Sequence, residues 1–244
     1  MNYLYETHLH TNVASACATS NPEDYIRPYI NAGYSGIIVT DHFFNGNTSI
    51  SKNLPWKDKI ELFYSSYERT RVEGEKQGLS VFFGWEHCFE NDEFLIYGLD
   101  KQWLIKNQDV MNLNHQELYN VVHNEGGAVV QAHPYRDRDY VKSIKLYPHC
   151  VDAVEVANSG NNAMNDSYAY RYALEHDLPM TAGSDSHNIM DKKELFGVIS
   201  PTKWESIDDY VKMLRSHSQL DLKSSRKYSK DEVLPKIEKP IFEY

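Results

Sequence analysis

Short apolar segments of β type recur along this chain and alternate, for most of its length, with segments of helical type. Strands separated by helices predict a mostly parallel sheet. Seven or so such units in about 220 residues fit a closed or distorted barrel better than an open sheet. We therefore predict an α/β fold, a distorted (β/α)7 barrel in a single domain. The predicted strands lie at 3–8, 36–41, 81–86, 94–99, 127–133, 152–158, 179–185 and 195–200, and the predicted helices at 21–33, 57–78, 114–126 and 165–177.

The chain divides by composition into a long barrel segment and a short charged end. Of its 244 residues, 41% are hydrophobic and 25% are charged, so a packed core is expected. The last stretch is rich in charge and holds two prolines. We predict a barrel over 1–222 and a charged C-terminal extension over 223–244.

Charge, cysteine content and hydropathy limit the partners and the location. The formal net charge is −10, which is unfavourable for long nucleic acid, so nucleic-acid binding beyond short oligonucleotides is not expected. No apolar run is long enough to span a bilayer, and no secretory signal pattern is present, so no membrane partner is expected. Three cysteines without a CxxC pattern are typical of reduced thiols. We expect a cytoplasmic protein, and the sequence does not indicate its oligomeric state.

Metal-ligating residue types follow the predicted strands. In (β/α) barrels the C-terminal ends of the strands converge on one face, where active sites lie. The pattern begins with two imidazoles at alternate positions, which share one side of a strand and can bind one ion together. We therefore predict a site for several metal ions; the other six histidines are interpreted as structural. The residues that end the strands are His8, His10, Asp41, His42, Glu86, His133, Asp185 and His187.

The motifs HLH, VTDH, GWE, AHP and GSDSH, in this order, resemble the PHP superfamily, which is named for polymerase and histidinol phosphatase. The resemblance covers about residues 1–200 and implies a distorted seven-stranded (β/α) barrel with two or three divalent metals that hydrolyses phosphoesters. It also implies three metal positions. The first would be held by His8, His10 and Asp185, the second by His133 with Glu86 bridging, and the third by His42 and His187.

Two positions depart from the family pattern. Members usually carry a further His or Asp shortly after the HxH, where this chain offers only Ser15 and Cys17. Cys17 is either a soft ligand of the third metal or a small buried residue. Members also usually have a His where this chain has Glu93, and an oxygen ligand there favours harder ions such as Mn or Fe. We predict two or three divalent ions, Zn, Mn or Fe, with Glu93 among the ligands.

The predicted function is a metal-dependent phosphoesterase acting on a small phosphorylated metabolite, with a compound like histidinol phosphate as one candidate. The predicted catalytic residues are Asp185, His187 and Arg136, and Arg136 is placed just past His133 to reach the substrate phosphate. One alternative is a nuclease-like phosphodiesterase acting on nucleotides or short oligonucleotides. Others are an amidohydrolase-type hydrolase, against which the missing lysine after a middle strand argues, and a non-catalytic metal-binding protein.

Overall fold

A computed structural model describes residues 2–139, 141–191 and 194–244. Each of the eight predicted strands overlaps a strand of the structure. Three further short strands, β6, β10 and β11, were not predicted. The strands are β1 Tyr3–Glu6, β2 Gly36–Val39, β3 Ser80–Phe89, β4 Asp92–Tyr97, β5 Ala128–Gln131, β6 Ile144–Leu146, β7 Ala153–Asn158, β8 Met180–Gly183, β9 Gly197–Ser200, β10 Asp221–Lys223 and β11 Ile241–Glu243.

The helices cover the outside of the strands, and their ends follow local sequence signals. Gly78 ends α2 with a φ of 83°, a backbone conformation that glycine adopts without strain. Asn114 and Glu117 form a capping box at the start of α4. The helices are α1 Ile26–Asn31, α2 Trp56–Gln77, α3 Lys101–Lys106, α4 His115–Asn124, α5 Ala163–Glu175 and α6 Ile207–Arg215, with 3₁₀ turns at Pro22–Tyr25 and Gln108–Asn112.

The helix predicted over 21–33 is divided in the structure into the 3₁₀ turn at Pro22–Tyr25 and α1. Pro28 lies near the start of α1 and has no backbone N–H, so the α-helical bond that residue 28 would make to residue 24 cannot form. Proline is tolerated within the first turn of a helix, which is why α1 begins where it does.

The main sheet has nine strands in the order β10-β9-β1-β2-β3-β4-β5-β7-β8. β8 also packs beside β9, so the sheet nearly closes into a barrel, and the predicted distorted barrel is confirmed. The expectation of a mostly parallel sheet is wrong, because half of the strand pairings in the main sheet are antiparallel. β9 runs antiparallel to both β1 and β10, and at the centre of the sheet β4 runs antiparallel to both β3 and β5. The cause is a hairpin: only Glu90 and Asn91 separate β3 from β4, which leaves no room for a crossover helix.

A hydrophobic cluster fills the interior of the barrel. It joins side chains of β1 to β5, β7 and β9 with Trp204 and the buried face of α6. The rings of Tyr5 and Trp204 stack with centroids 3.7 Å apart, and the Tyr5 hydroxyl accepts a hydrogen bond from the Trp204 backbone N–H. A second, larger cluster packs α2, α4 and α5 against the outer face of the sheet.

The C-terminal residues lie against the barrel. Arg226 donates to Asp166 at 2.7 Å, the Tyr228 hydroxyl donates to the Val156 carbonyl, and β11 pairs in parallel with β6. β10 crosses the predicted boundary between 1–222 and 223–244, and the division into these two segments stays a prediction. Among the described residues, no helix combines the length and the apolar character that crossing a membrane would require.

Candidate metal centre

The predicted ligands gather at one end of the barrel. Most follow a strand directly or within a few residues, since the chain leaves each strand at that end. Glu86 is different: it was predicted to end the third strand but lies inside β3, which continues to Phe89 because β4 pairs with it. The residues brought together are His8, His10, His42, Glu86, Glu93, His133, Asp185 and His187.

The Glu86 carboxylate lies at the centre of the imidazoles. Its Oε1 atom is 3.2 Å from His8 Nε2 and 3.4 Å from His133 Nε2. Its Oε2 atom is 2.5 Å from His42 Nδ1 and 3.8 Å from His10 Nε2. The two oxygens of one buried carboxylate therefore face different imidazoles, which is the arrangement that a bridge between two ions requires.

His8, His10 and Asp185 form a second group. The two Nε2 atoms of the histidines are 3.0 Å apart, and Asp185 Oδ1 is 3.2 Å from His10 Nε2 and 3.5 Å from His8 Nε2. Burial disfavours charge on both Asp185 and His8. The opposite charges nearby outweigh it, so the pKa of Asp185 lies well below its usual value and the pKa of His8 well above.

Glu155, which sequence reasoning missed, fixes the orientation of His8. Its Oε1 atom accepts from His8 Nδ1 at 2.9 Å, so only Nε2 of His8 remains free to bind an ion. Its Oε2 atom accepts from the His133 backbone N–H and from the Asn158 amide. The side chain is fully buried in β7. A glutamate within the apolar run DAVEVAN was the available signal, because a charge in a buried strand needs a partner.

Asp41 is not placed among the ligand groups; it orients the ligands instead. Its oxygens accept from the Thr11 backbone N–H at 2.6 Å, from Ser15 Oγ at 2.7 Å and from Ser66 Oγ. Ser15 Oγ in turn contacts His10 Nδ1 at 3.1 Å and accepts from the His42 backbone N–H at 3.0 Å. Through Ser15, one buried carboxylate fixes two neighbouring imidazoles.

Glu93 and His187 lie at the outer side of the cluster. Glu93 Oε2 is 3.5 Å from His133 Nε2, and burial together with the nearby Glu86 carboxylate raises the pKa of Glu93. His187 Nδ1 contacts the Asp185 backbone carbonyl at 3.0 Å. Cys17 is exposed, and its Sγ atom lies 3.2 Å from His42 Nε2. Partial burial of the Cys17 thiol opposes its ionisation, but hydrogen bonds with His187 and His42 outweigh this effect and lower the pKa of Cys17 to about 6.

Arg136 is held within the centre rather than above it. Its Nη2 atom donates to Asp185 Oδ2 at 2.5 Å and to Asn158 Oδ1 at 2.9 Å, and its Nε atom donates to Asn161 at 3.0 Å. Its Nη1 atom makes no hydrogen bond to any residue that the structure describes. Arg138, by contrast, has an exposed side chain.

The side chains present fit divalent metal ions. Four groups of three donors each have their ligand atoms within 4.8 Å of one another. Several of these atoms lie close together yet lack a hydrogen bond of normal geometry among the described residues, namely His42 Nδ1, Glu86 Oε2 and His133 Nε2. Mixed imidazole and carboxylate groups suit Zn, Fe and Mn. The groups are His8 with Glu86 and His133, His8 with His10 and Asp185, His10 with His42 and His187, and His42 with Glu86 and Glu93.

Comparison with known proteins gives a family match and similar solved structures, among them the following two. A family model described as PHP-associated matches residues 167–191, which include the GSDSH motif. None of the curated proteins matches the chain significantly. A Bifidobacterium adolescentis structure, provisionally described as a metal-dependent phosphoesterase, is similar with a TM-score of 0.57 and 16% identity over 89% of this chain and 96% of the other. An amidohydrolase from Chromobacterium violaceum, with bound sulfate and no metal, is similar with a TM-score of 0.51 and 12% identity over 87% of this chain and 96% of the other.

The two structural likenesses, at these identities, bear on the fold alone, and the fold agrees with the barrel derived above. The family match falls on the segment that carries Asp185 and His187. Together with the order of the motifs, it confirms the resemblance of this chain to the PHP superfamily.

Proposed function

We propose that the protein is a metal-dependent phosphoesterase that removes phosphate from a small phosphorylated metabolite. The observation that carries the proposal is the Glu86 carboxylate, buried among imidazoles with each oxygen facing a different one. An arginine is fixed beside the same cluster through Asp185. Donors for clustered cations next to a guanidinium suit a phosphoryl group, which needs both cations and a hydrogen-bond donor.

We assign the proposed ligands to separate ions according to the donor groups described above. His8, His10 and Asp185 would hold one ion, and His133 would hold a second, with Glu86 between them. Glu93, whose Oε2 atom lies 3.5 Å from His133 Nε2, would join His133 at the second ion. His42 and His187 remain for a third, so the chain would bind two or three ions of Zn, Mn or Fe. Such ions supply an activated water near neutral pH and take up charge on the phosphoryl oxygens.

The protein residues position the substrate. Arg136 has two nitrogens engaged by Asp185, Asn158 and Asn161, so the guanidinium is held in one orientation. Its Nη1 atom is proposed to donate to a phosphate oxygen. A narrow cavity of about 30 Å³ lies beside Glu93, His133 and Arg136, which fits a small polar group. Asp185 and His187 are proposed to act in catalysis as ligands, and the contact of His187 Nδ1 with the Asp185 backbone carbonyl at 3.0 Å would leave His187 Nε2 for an ion.

The test is metal content by elemental analysis on protein purified without chelator, together with hydrolysis of p-nitrophenyl phosphate. Chelation is expected to abolish hydrolysis, and addition of Zn, Mn or Fe is expected to restore it. Two or three ions per chain with turnover would support the proposal. Bound metal with no turnover on any phosphoester would favour a metal-binding protein without catalysis, and protein that takes up no metal would contradict the proposal.

Replacement of Arg136 tests whether its guanidinium binds the substrate phosphate or acts only as a charge near the surface. Arg136→Ala is expected to lower kcat/KM for p-nitrophenyl phosphate by on the order of 100-fold, because a charge-assisted donor to the phosphoryl group is lost. The matched control is Arg138→Ala, whose side chain is exposed and which is expected to stay within about twofold of the parent. Steady-state kinetics on both variants is the measurement, and equal effects of the two would contradict the assignment.

An amidohydrolase activity is the second candidate, because the fold is also similar to that of an amidohydrolase. Against it, the sequence places no lysine at the end of a middle strand, where amidohydrolases generally carry one. Parallel assays on N-acyl amino acids and phosphomonoesters with the metal-loaded protein would separate the two. Turnover of the amides alone would favour the second candidate.

A further inference from the structure

Cys17 lies beside two of the predicted ligands, in a stretch where the chain has no other strong metal-binding side chain. Its Sγ atom is 3.2 Å from His42 Nε2. In a tetrahedral site with bonds of about 2.3 Å to sulfur and 2.0 Å to nitrogen, the two donors lie roughly 3.5 Å apart. The observed separation is therefore close to that of two ligands of one ion.

His10 belongs to two of the donor groups but can bind only one ion. If it binds elsewhere, the group of His10, His42 and His187 is one donor short, and Cys17 is placed to supply it. His10 Nδ1 is engaged by Ser15, so only its Nε2 atom can bind an ion. That Nε2 atom lies 3.0 Å from His8 Nε2 and 3.2 Å from Asp185 Oδ1, within the neighbouring group. One imidazole nitrogen binds one ion. If His10 serves the group of His8 and Asp185, then His42 and His187 are left with two donors.

The contacts of His42 and His187 show which of their nitrogens can face Cys17. His187 Nδ1 faces the Asp185 backbone carbonyl at 3.0 Å, which leaves its Nε2 atom free. His42 presents Nδ1 to Glu86 and Nε2 to Cys17. The Cys17 thiol makes side-chain hydrogen bonds with both His42 and His187, so it contacts both imidazoles.

We propose that Cys17 binds a metal ion through its sulfur, together with His42 and His187. The inference rests on the metal centre in the proposed function and extends it, because a sulfur ligand changes which ion this position takes. One sulfur with two nitrogens suits Zn or Co, whereas Mg and Mn favour oxygen donors. The ion displaces the thiol proton, which is released to solvent.

Cobalt loading tests the assignment directly, because sulfur ligation to Co²⁺ gives a charge-transfer absorption in the near ultraviolet. The full-length protein and three variants are loaded with Co²⁺ after chelation. The band is expected in the parent and in Cys150→Ala, since Cys150 is buried elsewhere against Gln116. It is expected to be absent in Cys17→Ser, which should also bind one ion fewer. Cys17→His should keep the ion and lose the band.

Alkylation gives an independent readout. Iodoacetamide labelling at Cys17, followed by mass spectrometry, is expected to slow by on the order of tenfold or more when Zn²⁺ is added, and chelation should restore it. A band that persists in Cys17→Ser, or labelling unaffected by Zn²⁺, would overturn the inference. If the parent protein hydrolyses phosphoesters but shows no charge-transfer band, Cys17 is not a ligand, and the proposed phosphoesterase activity stands. The band without hydrolysis would support Cys17 as a ligand and count against the phosphoesterase.

Discussion

Glu86→Gln is expected to lower kcat/KM for a phosphomonoester by on the order of 10³-fold or more and to reduce bound metal. The substitution keeps the shape of the side chain but removes its charge and one oxygen. In the structure those two oxygens face His8 and His133 on one side and His42 on the other. No other described carboxylate lies between the same imidazoles, so the variant loses the link between two ion positions.

The measurement combines elemental analysis with steady-state kinetics at saturating metal. Glu125→Gln is the matched control, because Glu125 is an exposed residue at the end of α4 and should keep both metal content and rate. Circular dichroism separates a local defect from misfolding. A Glu86→Gln protein with full metal content and full rate would show that Glu86 is not a ligand.

Two buried histidines outside the metal centre are expected to contribute a loss of about 4 kcal/mol to the stability of the chelated protein between pH 7 and pH 5. Burial lowers the pKa of His87 to about 3 and that of His115 to about 4. In the unfolded chain both pKa values are near 6.5. Their contribution is thus fully present above pH 6.5 and is lost as the pH falls from 6.5 toward 4, since only the unfolded state takes up the protons.

Urea unfolding at pH 7 and pH 5 measures this loss. His87→Gln keeps a polar group near Asn45, and His115→Phe suits the stack on Phe94, whose ring centroid is 3.8 Å away. Relative to the parent, each single variant should reduce the change in unfolding free energy between pH 7 and pH 5 by about 2 kcal/mol, and the double variant by about 4 kcal/mol, whatever their stabilities at pH 7. His149→Gln, at an exposed position, should leave the loss unchanged. A double variant with the full loss would assign it to other groups.

The order of the ligand motifs could be predicted from the sequence because strand ends and metal-ligating side chains are both local features. His8, His42, His133 and Asp185 each follow an apolar run, and the barrel places such positions on one face. The same reasoning placed Glu86 correctly near its neighbours while missing that β3 continues past it. Strand length there depends on pairing with β4, and a hairpin of two residues is a weak signal without a type-specific turn sequence.

What could not be predicted depends on contacts between distant segments. Glu155 acquires its role from His8, 147 positions away in the chain. Arg136 was expected to reach the substrate phosphate, and its partners come from later parts of the chain: Asn158 at the end of β7, Asn161 in the turn that follows, and Asp185 after β8. Spacing within a sequence carries no information on such pairs, and only the closed barrel brings them together.

Two of the proposed ligands stand in a backbone region that glycine occupies more easily. His133 and Asp185 have φ angles of 29° and 49°, and each such position costs about 1–3 kcal/mol for a residue with a side chain. In a descendant of this protein that no longer needed the ions, replacing His133 with glycine would relieve this backbone strain. At position 185 a change to glycine would also remove the ion pair between Asp185 and Arg136, which disfavours it. Decay of the centre would therefore begin at His133, and an intact residue there in a relative would indicate that selection for ion binding persists.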